Sequence, residues 1–117
     1  MDQASITAIE QWAATPNAIE RSFMRVHRPD AVTVDEGRDR VRIRFDGIAI
    51  SGRSFTLRID LTLAGAVRKV VFEEAGTGAQ HILEAGRGGA RLQGARRFLA
   101  ELLERDIETR QIARRWR

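Results

Sequence analysis

Residues 40–63 read RVRIRFDGIAISGRSFTLRIDLTL, and their pattern decides the fold. Apolar and polar side chains alternate from Val41 through Ile43 to Phe45, and again from Phe55 through Leu57, Ile59 and Leu61 to Leu63. That two-residue period belongs to strands with one buried face. Between the two runs, Ser51-Gly52 has the composition of a two-residue hairpin turn and Asp46-Gly47 that of a bulge. With both in place, Ile48 falls opposite Phe55, Phe45 opposite Leu57, Ile43 opposite Ile59 and Val41 opposite Leu61. A slip of one residue would turn a whole apolar set to the wrong face, so a register whose inner pairs are all apolar is strongly specified.

The same reasoning extends outward from this hairpin. A turn at Gly37-Arg38 sets Val34 beside Val41 and Val32 beside Ile43. A turn at Ala64-Gly65 brings Val70 to Ile59 and Phe72 to Leu57, and the loop from Gly76 to Gly78 brings Ile82 to Phe72. The expectation is a five-stranded antiparallel meander over residues 31–84.

Helical spacing flanks it on both sides. Ile6, Ile9, Trp12 and Ala13 recur at three- and four-residue intervals after a cap at Asp2 or Ser5. Thr15-Pro16 then interrupts, with Thr15 suited to cap, and Pro16 to open, a second helix carrying Ile19, Phe23 and Val26. After Gly86-Arg-Gly-Gly, a long helix is expected from about Ala90 to Arg115, with Leu92, Phe98, Leu99, Leu102, Leu103, Ile107, Ala113 and Trp116 on one half of its circumference. The fold class expected is therefore α+β, a single domain over residues 1–117. Its meander sheet is flanked by kinked N-terminal helices and a long C-terminal helix. The C-terminal helix covers the apolar sheet face, and the N-terminal helices pack beside it or across the other face.

Composition sets limits on chemistry. With 43% hydrophobic and 31% charged residues, a chain of 117 residues has the means to bury a core. It has no Cys, which excludes disulfides, thiolate metal sites and cysteine nucleophiles. The first residues carry Asp2 and Glu10 and no continuous apolar run, so they read as neither signal peptide nor membrane span, and a cytoplasmic location is expected. The net charge of +4 is concentrated late: residues 1–60 hold nine basic and nine acidic side chains, residues 61–117 eleven and seven.

On the outer sheet face, the registers place Asp35 opposite Arg40 and Asp60 between Arg42 and Lys69, which is ordinary cross-strand neutralisation. One row departs from it. Arg44 falls directly opposite Arg58, with Ala31 on one side and Val71 then Leu83 on the other. Two guanidinium groups beside apolar surface suit an anionic partner, whereas Asp46 and Glu73, diagonal to them, suit simple neutralisation. Val67, Val71 and Leu83 on this face call for a cover, either the N-terminal helices or another chain.

Four arginines, Arg110, Arg114, Arg115 and Arg117, crowd the C-terminus around Trp116 with no acidic residue after Glu108. They complement a helix dipole, or else they contact nucleic-acid phosphates with Trp116 stacked on a base. Gly86-Arg-Gly-Gly, with Arg87 and Arg91 near, lacks the spacing of both dinucleotide-binding and P-loop motifs and reads as a connection. His27 and His81 belong to no nucleophile or metal-ligand motif, although His81 is expected opposite Glu73. No catalytic residue, metal site or cofactor is expected.

The favoured function is a small non-enzymatic interaction protein binding another macromolecule, a protein partner or a second copy of itself. The contact residues named for it are Arg44, Arg58, Val71 and Leu83 on the sheet and Arg110, Arg114, Arg115 and Trp116 in the C-terminal helix. Nucleic-acid binding through Arg44, Arg58 and the C-terminal arginines is the first alternative. A small-ligand protein or enzyme with a pocket between sheet and helices is the second, and no membrane partner is expected.

Overall fold

The computed structural model describes residues 1–23, 28–86 and 92–105. Five strands, β1 (Ala31–Asp35), β2 (Arg40–Ile50), β3 (Arg53–Leu61), β4 (Val67–Glu74) and β5 (Gln80–Glu84), form one antiparallel sheet in the order β1-β2-β3-β4-β5. Helices α1 (Gln3–Ala14) and α2 (Ala18–Phe23) precede it and α3 (Arg96–Arg105) follows it. The α+β meander expected from the sequence is therefore the architecture observed.

The central hairpin has the register that its alternation specifies: Val41↔Leu61, Ile43↔Ile59, Phe45↔Leu57 and Ile48↔Phe55, with a shift between Phe45 and Ile48. Ser51 and Gly52 sit at φ 51° and 76°, the paired left-handed conformations of a type I′ turn, whose twist matches that of the strands. The β1–β2 pairs Val32↔Ile43 and Val34↔Val41 and the β3–β4 pairs Leu57↔Phe72 and Ile59↔Val70 also fall as expected.

Two places depart from the expected pattern. A register shift between Asp60 and Leu61 pairs Leu61 with Val67, which turns Val67 inward into the core rather than onto the outer face. The second departure moves an entire strand. The β4–β5 loop closes between Glu74, whose N–H donates to the carbonyl of Ala79 at 2.8 Å, and is one residue tighter than the sequence suggested. Phe72 therefore pairs with His81, and Ile82 pairs with Val71. Leu83 is buried in the core opposite Val70, and Ile82 is half-exposed on the outer face, reversing the expected placement of both.

Helix boundaries follow local hydrogen bonding. Asp2 caps α1, its carboxylate accepting the Ser5 N–H at 3.3 Å. Hydrogen bonding from Ser5, its side chain ahead of its N–H, and the Arg53 guanidinium hold the Asp2 carboxyl below its usual value, against an opposing effect of desolvation. Of the two Ser5 contacts, only the N–H bond has full hydrogen-bond geometry, since the buried hydroxyl falls short of it. Thr15 closes α1, donating its N–H to Trp12 and its hydroxyl to Gln11, where the sequence suggested that it opens α2. Asn17, at φ 55°, accepts the Arg21 N–H at the start of α2.

Helix α3 starts at Arg96, later than the expected Ala90, because the chain before it runs against the β3–β4 turn. The Ala95 N–H donates to the Gly65 carbonyl at 2.6 Å, Arg96 Nε reaches the Ala64 carbonyl at 3.3 Å, and Leu99 N–H closes the first helical bond on Ala95. The long C-terminal continuation, including Ile107, Ala113 and Trp116, lies outside the described residues.

All three helices contribute to one core with the inner sheet face. Ile9, Ala13 and Ile19 from the N-terminal helices and Phe98, Leu99 and Leu102 from α3 join Val41, Ile43, Phe45, Leu57, Ile59, Val70 and Phe72. Trp12 packs edge-on against Phe72, with centroids 5.5 Å apart, and Phe98 packs against Phe45 at 6.4 Å. The N-terminal helices thus share the face that α3 covers.

Candidate interaction surface

The described helices lie on the inner face, and no described helix covers the opposite face of the sheet. Its middle row runs Ala31, Arg44, Arg58, Val71 and Ile82, each the cross-strand partner of the next. Strand alternation dictates this outward set once the inner set is buried. Arg44 and Arg58 stand directly opposite each other and are about half-exposed.

Each arginine of the pair has a carboxylate of its own. Arg44 Nε lies 3.3 Å from Asp46, and Arg58 Nη2 lies 3.4 Å from Glu73. The Arg42 guanidinium takes Asp60 at 3.3 Å, and Asp60 also stands opposite Lys69. Gln80 Nε2 donates to Glu73 at 2.8 Å, tying β5 to β4 on this face. The diagonal carboxylates thus neutralise the like-charged row, and exposed pairs of this kind each contribute about 0–1 kcal/mol.

The exposed apolar residue of this row is Ile82, with Val71 beside it. Val71 is buried but stands outside the core cluster, with Arg58 and Ile82 as its cross-strand neighbours. Ile82 is 49% exposed. Sequence reading missed Ile82 because Ile82 and Leu83 are adjacent and both apolar, so either satisfies the inner face and only the loop length chooses between them. Leu83, named from the sequence as a surface contact, belongs to the core.

His81 also changes face. It pairs with Phe72 on the inner side, away from Glu73, and its Nε2 is buried, without a hydrogen-bond partner, and 3.8 Å from Glu10 of α1. The dyad suggested by His81 and Glu73 does not form. Among the described residues no group of three or more His, Asp or Glu side chains is arranged to hold a metal ion. No described helix is long and apolar enough to cross a membrane. Arg110, Arg114, Arg115, Arg117 and Trp116, together with His27, Arg87 and Arg91, lie outside the described residues.

No family model matches the chain, and neither a curated protein nor a solved structure matches it. The fold defines a class, an α+β protein whose meander sheet is covered by helices on one face.

Proposed function

We propose that the chain is a non-enzymatic interaction protein whose outer sheet face, centred on Arg44, Arg58 and Ile82, docks a protein partner. The observation supporting this reading is the placement of every described helix on the inner face, so that no described helix covers the ion pairs and the exposed Ile82 of the other face. Arginine beside apolar side chains is the composition enriched in protein interfaces.

Charge balance favours protein over nucleic acid on this face. Arg40, Arg42, Arg44, Arg58 and Lys69 are offset by Asp35, Asp46, Asp60, Glu73 and Glu84 in neighbouring positions. A phosphate-binding surface draws its affinity from cations whose counterions are released, and cations already paired with carboxylates supply little of it. The C-terminal arginines are the residues through which nucleic acid would be engaged instead.

Capture from native-host lysate tests the reading, comparing the natural chain with Arg58→Glu at low and high salt, with and without nuclease. The expected result is a stoichiometric protein that survives salt and nuclease on the natural chain and is lost from Arg58→Glu. Nucleic acid recovered only at low salt, or a protein retained equally by Arg58→Glu, overturns it.

A further inference from the structure

Asp46-Gly47 is the one place in the chain where an aspartate precedes glycine, and no Asn-Gly pair occurs. It falls where the β2–β3 ladder is interrupted. Phe45 pairs with Leu57 and Ile48 with Phe55, so neither Asp46 nor Gly47 has a cross-strand register partner. Gly47 takes the left-handed conformation suited to such a bulge, at φ 67°, and a Cβ built on it would meet nothing within 4 Å. Both residues are exposed, and the Asp46 side chain is about half open to solvent.

These features remove the two obstacles that ordinarily protect an aspartate in a strand. A peptide nitrogen attacks the carboxyl carbon of the preceding aspartate when no side chain crowds that nitrogen and when the peptide between them can rotate. Glycine meets the first condition. The bulge meets the second, because residues outside the regular ladder open locally at low free-energy cost. We propose that Asp46-Gly47 is a modification site at which Asp46 of the folded chain isomerises, through a cyclic imide, to isoaspartate.

The chemistry balances without an added reagent. The Gly47 nitrogen bonds to Cγ of Asp46, and one carboxyl oxygen leaves as water, carrying the proton of that nitrogen and one taken up from solvent. Water then adds to the α-carbonyl carbon of Asp46 and breaks its bond to the Gly47 nitrogen. The main chain now runs through Cγ, the former α-carboxyl is the free carboxylate, and the proton taken up is returned. The product keeps the mass of the natural chain but gains a methylene in its backbone at the bulge. Arg44, whose Nε lies 3.3 Å from the Asp46 carboxylate, loses that partner as placed and faces Arg58 with less compensation. The new carboxylate is a methyl acceptor for carboxyl methyltransferases that use S-adenosylmethionine. The reaction is independent of what docks on the outer face.

Ageing the natural chain in warm neutral buffer, both folded and in guanidinium, tests the proposal when followed by peptide mapping and by enzymatic methylation with labelled S-adenosylmethionine. The expected result is isoaspartate at residue 46 of the folded chain, forming within about tenfold of its rate in the unfolded chain. A species lighter by one water is expected earlier in the same peptide. Asp46→Glu keeps the carboxylate, but attack on it closes a less favourable six-membered ring, and its peptide is expected to accept no methyl group after the same treatment. Isoaspartate at residue 46 that is absent from the folded chain, or that forms there more than about tenfold slower than in the unfolded chain, overturns the proposal. Isoaspartate spread evenly over the other aspartates, or methyl acceptance by the same peptide of Asp46→Glu, overturns it equally.

Discussion

At Gly65 two demands meet on one residue. Its φ of 88° is left-handed, and a Cβ built there would stand 2.5 Å from the Cα of Arg96. Gly76 has nearly the same dihedral, φ 89°, with nothing within 4 Å of the corresponding position. Replacing each by alanine separates conformation from contact. Gly76→Ala is expected to lose about 1–2 kcal/mol, the cost of a left-handed conformation for a residue with a Cβ. Gly65→Ala is expected to lose about 2 kcal/mol more, because backbone has to give way where α3 begins. Urea denaturation of the two variants checks the difference, and equal losses would show that the turn and helix separate freely. The turn at Ala64-Gly65 was legible from composition. Its approach to residues 94–96 was not, because it joins positions some thirty residues apart along the sequence.

Elements were legible in proportion to how far their alternation restricts register. In β2 and β3 every second residue is apolar and its neighbours are mostly polar, so only one pairing buries Val41, Ile43, Phe45, Leu57, Ile59 and Leu61 together. In β5 the adjacent Ile82 and Leu83 remove that discrimination, and the hydrogen bonds of the β4–β5 loop decide the face. Val67 followed the same logic: the shift beside Leu61 turned it inward. The β5 register makes a direct prediction. Leu83→Ala is expected to cost about 2–4 kcal/mol as a buried large-to-small change, and Ile82→Ala less than about 1 kcal/mol. Thermal or chemical denaturation of the two, measured on dilute protein, checks it, and the reverse order would restore the register expected from the sequence.

Across the whole molecule, one cluster ties distant parts of the chain together. Arg53 Nη1 holds both oxygens of the nearly buried Glu74, at 3.3 and 3.4 Å, and its Nε reaches the α1 cap Asp2 at 3.5 Å. Thr77 in the β4–β5 loop donates to the same carboxylate at 3.0 Å. Glu74 is 3% exposed, whereas Glu73, the partner of Arg58, is 36% exposed. Truncating the two arginines is therefore expected to differ. Arg58→Ala changes stability by about 0.5 kcal/mol or less, as exposed pairs do. Arg53→Ala is expected to cost about 2 kcal/mol because it strands a buried carboxylate, the solvent on the arginine side keeping the loss below that of a fully buried pair. Denaturant midpoints of the two variants decide the point.

By itself the sequence determined that this chain builds an antiparallel meander with flanking helices, which strands pair, and that Arg44 stands opposite Arg58. These are local properties, set by two-residue alternation and by turn residues a few positions apart. Only the tertiary structure decided that α1 and α2 lie on the same face as α3, that Leu83 is core while Ile82 is surface, and that α3 waits until Arg96 to begin. Each of these depends on packing between segments far apart in the chain or on the length of one loop, and neither leaves a period in the sequence to read.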